Sequence, residues 1–265
     1  MFDIDKLLKN YYVESIRVLY AIAVVLIISW GFIEEVAWWE YIITFYLGLL
    51  FARIGSEVGF HRYFSHRSYK TTPLKEKLLL WLGTVNGVGS CISWATMHRI
   101  HHETADTEKD PHSPYFYSVL KSFFGIPRND IKYDHRITKD LFKDRQQIFT
   151  HRHYFKINFA FIMSLVIISL LLQTMYPIII FFAMANFSLF MLYGITNTVE
   201  HFIGYKSYPT SCNSKNQHIL RILWMGAGLH NNHHYKPSSY TFNIKDNWWE
   251  FDFDSWLIKK FFALA

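Results

Sequence analysis

Fourteen histidines occur in this chain of 265 residues, and nine of them fall into four short clusters. "HRYFSH" carries His61 and His66, "HRIHH" carries His98, His101 and His102, "NTVEH" carries His201, and "HNNHH" carries His230, His233 and His234. On an α-helix, residues i, i+3 and i+4 share one face, so each H-x-x-H-H box points its three imidazoles the same way. That is ligand geometry, and imidazole suits zinc, copper, iron and nickel alike. A closed structural zinc site takes four ligands, too few to use nine histidines, so two metal ions are the economical reading. His61 and His66 stand five residues apart, about 140° around an α-helix. Both reach one site only if the helix frays or bends at its membrane exit. His112, His135, His151, His153 and His218 stand alone and read as satisfied polar or surface groups. The Glu-x-x-His sets of soluble di-iron bundles find no convincing match. Glu57, Glu103 and Glu200, near the boxes, are therefore expected to support ligands or to face solvent.

Clusters so far apart in the chain must be carried to one place by the elements between them, and those elements are apolar. Hydrophobic residues make up 51% of the chain and aromatics 19%, a balance unlike that of ordinary water-soluble domains. A membrane span needs roughly 17 to 25 mostly apolar residues. Four stretches meet or approach this, at about 13–33, 38–60, 157–174 and 177–200. The second is interrupted by Arg53 and Glu57, and the last two flank the polar turn "TMYP" as a helical hairpin. A further apolar stretch, about 77–97, has Lys75 and Lys77 before or at its start and Arg99 after it, and contains Gly83, Asn86, Gly87, Gly89, Ser90 and Ser93. Positive flanks belong in the cytoplasm, so this stretch is expected to re-enter or lie flat rather than cross.

Lys and Arg are absent from "EEVAWWE" and from the turn after Gln173 and frequent between Arg128 and Lys156. By the same rule both termini, and all four histidine clusters, lie on the cytoplasmic side. The expected fold is an all-α membrane protein, with four transmembrane helices in two hairpins and a cytoplasmic helical cap carrying the histidine boxes. Residues 1–265 form one domain, with the cap built from 61–156 and 201–265. Towards the C-terminus "NWWEFDFDSWLIKKFF" places Trp248, Trp249, Trp256 and Phe261 where they suit an interfacial helix. The net charge of +6 belongs to the cytoplasmic parts. Anionic lipid headgroups, an anionic ligand or an acidic protein partner account for it, and no nucleic-acid partner is expected. With two cysteines, no disulfide framework is available.

The order H-x-x-x-x-H, H-x-x-H-H, H-x-x-H-H between two hydrophobic helix pairs resembles the membrane fatty acid desaturases, in particular the Δ9-type acyl desaturases. "HRYFSHR", "WATMHRIHH" followed by "DTEKDPHSP", and "GLHNNHH" carry the resemblance, which runs from about Tyr41 to the C-terminus. It implies nine histidines holding two iron ions, here His61, His66, His98, His101, His102, His201, His230, His233 and His234. Asn197, four residues before the isolated histidine, would reach a metal through water. It implies O2 as co-substrate and a saturated fatty acyl chain, as acyl-CoA or acyl lipid, that gains a cis double bond. The chain would lie in an apolar tunnel, which Trp94, one turn before His98, could wall. Where the relatives have "GEG" before the third box, this chain has "GAG", with Ala227 in place of the acid. No haem-binding H-P-G-G signature follows, so electrons are expected from a separate carrier such as a ferredoxin. The expected location is the bacterial inner membrane. Two alternatives remain at this level: a hydroxylation or ketolation on the same scaffold, against which the box spacing argues, and a zinc-dependent membrane hydrolase or metal transporter. A transporter places ionisable groups along its spans, whereas these histidines gather at one face.

Overall fold

The computed structural model describes residues 37–125, 128, 134–186, 194–223 and 228–264. The expected first span, 13–33, lies outside them, as do the middle of the fourth and Ala227. The described residues are helical and contain no strand; their only β-type pairings are isolated bridges between Tyr205 and Asn216 and between Asn216 and Leu229.

Two of the described helices are long and apolar enough to cross a bilayer, Trp38–Ser65 and Tyr154–Leu172. The second is apolar on every side, and only 11% of its most apolar window is covered by protein. Phe159, Ile167, Leu170 and Leu171 stand exposed along it. In water such a surface would be a large unfavourable patch, whereas hydrocarbon leaves it satisfied. Gln173 ends the helix in the left-handed conformation, and Thr174 N donates to Ser169 O at 3.0 Å, after which Tyr176–Asn186 turns back. This returning helix lies against Trp38–Arg53 at the closest approach the sequence permits: a Cβ on Gly48 would stand 2.3 Å from the Ile180 carbonyl oxygen. Tyr176 Oη donates to Glu40 Oε2 across the pair at 2.7 Å.

The apolar stretch 77–97 is not one helix. Pro73–Val85 starts at Thr72, whose side chain accepts from Lys75 N, with proline in the first helical position, where its missing N–H is harmless. It stops at Asn86, and the chain passes through Gly87 and Gly89, both with positive φ. It restarts as Cys91–Thr104, capped by Ser90 Oγ, which accepts from Ser93 N at 3.2 Å. The break is itself anchored, since Asn86 Nδ2 donates to Ala52 O and Ser56 Oγ at 2.8 and 2.9 Å. Each piece is too short to span alone, at 13 and 14 residues.

The interruptions of the second apolar run have partners. Arg53, fully buried, donates through Nε to Asp254 at 2.9 Å, and Arg62 donates to both carboxylate oxygens of Asp252 at 2.8 and 3.0 Å. Those aspartates begin the short C-terminal helix Phe253–Leu257, so the end of the chain is bound to the helix that carries His61. Leu257, Ile258 and Phe262 complete a core with Phe60, Leu79, Ile92 and Trp94.

Candidate metal centre

The first box depends on an unusual winding. From Ile54 to Ser65 the Trp38–Ser65 helix is a π-helix, and His66 N donates to His61 O at 3.1 Å. In i→i+5 winding, residues five apart lie one above the other. The rings of His61 and His66 are thus 5.0 Å apart. The fray or bend expected from α-helical geometry is replaced by this wider turn. Arg99, next to His98, donates to the carbonyls of Phe64 and Ser65 at 2.7 and 2.9 Å, groups that a helix end leaves free. The first and second boxes are joined there.

The third box, on His230–Tyr235, alternates ligand candidates with anchors. Asn231 Oδ1 accepts from the backbone of Ser207 and Tyr208 at 2.8 and 2.9 Å, and Asn232 Nδ2 donates to Phe242 O at 2.9 Å. The two asparagines between the histidines therefore fix a helix of only six residues from outside.

All nine box histidines converge, in two groups. His61, His66, His98, His102 and His233 form one, and His101, His201, His230 and His234 the other, with the ligating nitrogens of each group within 4.8 Å of one another. The Cys91–Thr104 helix runs between them, giving His98 and His102 to the first and His101 to the second. Three carboxylates stand behind the imidazoles. Nδ1 of His61 donates to Glu57 at 2.8 Å, Nδ1 of His101 to Asp110 at 2.9 Å, and Nδ1 of His201 to Asp106 at 3.0 Å. This contact fixes the tautomer and leaves a lone pair on Nε2, as in carboxylate–histidine–metal arrangements.

Those Nε2 atoms face each other rather than protein donors. The Nε2 of His61 and His233 are 2.9 Å apart, those of His66 and His98 2.8 Å, those of His102 and His233 2.8 Å, and those of His201 and His230 3.0 Å. His101 Nε2 is buried and has no hydrogen-bond partner among the described residues. Lone pairs crowded together in this way are stabilised by a cation among them. Nitrogens about 2.1 Å from one ion and at right angles about it lie about 3 Å apart, which fits these spacings.

Protonation favours the same role. Burial, reinforced by the neighbouring imidazoles, holds His98, His102, His230, His233 and His234 well below the ordinary histidine value. They are therefore neutral, the form that ligates a metal. Burial raises the Asp110 carboxyl, but the imidazole of His101 and its hydrogen bond outweigh this and bring it down to about 2.

Asn197 and Trp94 line a small cavity with Glu57, His61, His98 and His230. Trp94 stacks on His98, with 4.7 Å between centroids and 20° between planes. Among the acids near the boxes, Glu57 backs His61, Glu103 is exposed, and Glu200 is buried, its carboxylate oxygens without a hydrogen-bond partner among the described residues. The sequence reading did not find Asp106 and Asp110. Their signal is "DTEKDPH", which starts at Asp106, four residues past His102, once Thr104–Ala105 ends the helix. His112, read as an isolated histidine, lines the same cavity, and its ring lies 6.0 Å from that of His101.

Fold and site together define a helical protein with two polyhistidine clusters competent to bind metal. Residues 36–261 match the family profile described as fatty acid desaturase. The chain is 30% identical over 242 residues to the sn-1 stearoyl-lipid 9-desaturase of Synechocystis, covering 88% of this chain and 72% of that protein. It is 28% identical over 238 residues to the Delta(9)-fatty-acid desaturase fat-6 of Caenorhabditis elegans, covering 82% and 67%. A hex-5-enoyl-[acyl-carrier protein] acetylenase of Moorena producens is 27% identical over 280 residues, covering 96% and 86%. The chain belongs to the fatty acid desaturase family, and it is an oxidoreductase acting as a fatty acid desaturase.

Proposed function

We propose that this chain is an O2-dependent di-iron desaturase that introduces a cis double bond, at the Δ9 position, into a saturated acyl chain carried as acyl-CoA or acyl lipid. The convergence of nine imidazoles in two adjacent groups, with one carboxylate behind the first and two behind the second, carries the reading. The five-histidine and four-histidine groups would each hold one iron, with Asn197 reaching a metal through water. Relatives that act on stearoyl-lipid support the substrate class and the bond position.

When bound, the irons supply the oxidising power: two hydrogens leave adjacent methylenes, and O2, with two electrons and two protons from outside, becomes two waters. The protein supplies position and dryness. Glu57, Asp106 and Asp110 orient His61, His201 and His101 and strengthen them as donors. Trp94 and Met97 cover the cavity beside His98 and His230, where the reacting methylenes would lie against apolar surface. A separate carrier such as a ferredoxin delivers the electrons.

The same reading takes the chain as one domain with four spans in two hairpins, both termini and the boxes on the cytoplasmic side, and, by its cyanobacterial relatives, a place in a bacterial membrane. The two long apolar helices and the broken 77–97 stretch support it.

Gas chromatography with mass spectrometry of total fatty acids, from hosts expressing the chain with its electron donor or the His101→Ala variant, tests the proposal. A new cis-monoene that disappears in the variant is expected, and its position reads the bond. A hydroxy acid in its place would overturn desaturation, and zinc rather than iron in the purified protein would overturn the oxidative chemistry.

A further inference from the structure

The C-terminal stretch from Trp248 presents two opposite faces. Asp252, Asp254, Leu257, Ile258 and Phe262 are buried. Trp248, Trp249, Phe251, Trp256, Phe261 and Leu264 are exposed, Trp248 to 88%, and Lys259 and Lys260 stand exposed beside them. Aromatic rings and lysines together on a surface suit a boundary between hydrocarbon and charged headgroups.

The depth of this stretch can be read from its anchor. Trp38 and Trp39, both exposed, mark the start of the Trp38–Ser65 helix. At 1.5 Å per residue, Arg53 stands about 22 Å further along the axis, against a hydrocarbon thickness of about 30 Å. Asp254 is held at that level by Arg53. The exposed rings on either side of Asp254 therefore lie within about 10 Å of the far hydrocarbon boundary, the depth at which interfacial helices bury their apolar face. Backbone ties fix the other end: Leu264 N donates to Lys70 O at 2.9 Å and Thr71 Oγ1 donates to Phe262 O at 2.6 Å. These bring the stretch beside Pro73–Val85, which exposes Leu74, Leu78 and Trp81 at i, i+4 and i+7.

We propose that residues 248–264 form a lipid-binding surface that lies in the inner leaflet, its rings at the acyl boundary and Lys259 and Lys260 on anionic headgroups. This rests on the membrane reading given under the proposed function. Nitroxide labels at Trp248→Cys and Trp256→Cys, in the full chain in vesicles of phosphatidylcholine with or without phosphatidylglycerol, measure it. Ile167→Cys serves as the bilayer reference, Lys109→Cys as the aqueous one, and the unsubstituted chain, whose two described cysteines are buried, as the blank. The readout is accessibility to O2 relative to a water-soluble nickel chelate.

The expected ratio at both positions is several-fold above Lys109→Cys and below Ile167→Cys. It should rise with phosphatidylglycerol and lose that rise when Lys259 and Lys260 are changed to Glu. Ratios equal to the aqueous reference, with Ile167→Cys still in the bilayer, overturn the lipid surface and leave the membrane reading standing. An aqueous Ile167→Cys overturns the membrane reading itself. Trp248, the more exposed site, keeps the test valid if Trp256→Cys fails to fold.

Discussion

The imidazole of His102 lies stacked on that of His234, with 4.3 Å between centroids and 19° between planes, although the two belong to different histidine groups. The groups thus share a wall made of their own ligand candidates. Removing His102 takes a nitrogen from the first group and the stacking support from His234 in the second. In His102→Ala, both metals should be lost to a chelator about 10-fold faster or more, the range seen when support around a ligand is removed. In His61→Ala, whose ring has no stacking partner in the second group, the loss should stay with one metal. Time-resolved metal analysis of the purified proteins distinguishes these patterns, and confinement of the His102→Ala loss to one metal would contradict the shared wall.

Asp110 acts through His101, fully buried and 2.9 Å away. Asp110→Asn keeps the shape, removes the charge, and allows the amide to present a donor to Nδ1, which favours the wrong tautomer. Metal affinity of the four-histidine group should fall about 10- to 100-fold, while the five-histidine group keeps its metal. Competition against a chromophoric chelator reads this directly, and unchanged affinity would show that the carboxylate is dispensable.

The two H-x-x-H-H boxes were legible because α-helical spacing alone brings three rings to one face. The residues of the first box were legible too, but not what joins them, because nothing in "HRYFSH" announces that the helix runs in i→i+5 winding from Ile54 through Ser65. The pairing of Arg53 and Arg62 with aspartates about two hundred positions later was equally hidden. In the sequence these arginines only interrupt an apolar run, and their partners are supplied by tertiary structure. The break within 77–97 could be read, since its glycines and serines weaken a helix wherever it sits. The carboxylates at Asp106 and Asp110 look like ordinary loop polarity until the left-handed turn at Asp106 brings them under the imidazoles.

Arg62 joins the end of the chain to the five-histidine group. Its guanidinium lies 3.7 Å from the centroid of the Phe242 ring, which in turn is 4.6 Å from that of His233. Asp252 holds Arg62 and also accepts from Phe242 N at 2.8 Å. Asp252→Ala leaves a buried charge without its principal partner, a loss of about 3–5 kcal/mol in comparable pairs. The thermal midpoint in detergent should drop by many degrees, and metal should be released faster from the group that contains His233. Phe242→Leu keeps the ion pair and should release metal faster with a smaller drop in the midpoint. Equal metal release in Phe242→Leu and the unsubstituted chain would confine Arg62 to a role in folding.

His151 gives a pH dependence outside the metal groups. Its Nδ1 lies 2.5 Å from Ser90 Oγ, the cap of the helix that carries His98, His101 and His102. With the hydroxyl donating to Nδ1, the neutral ring supports the cap. Burial, with Arg152 nearby, lowers the histidine from 6.5 to about 4. The unfolded chain therefore takes up this proton first as pH falls. The contribution of His151 is complete above about 6.5, declines below it, and is gone near 4. At 1.36 kcal/mol per unit the full span amounts to about 3 kcal/mol. His151→Gln keeps a polar side chain without the titration, so its stability should fall less between pH 6.5 and 4.5 than that of the unsubstituted chain. Thermal midpoints of the metal-free proteins across that range decide the matter, since parallel curves would mean that protonation of His151 is not coupled to the fold.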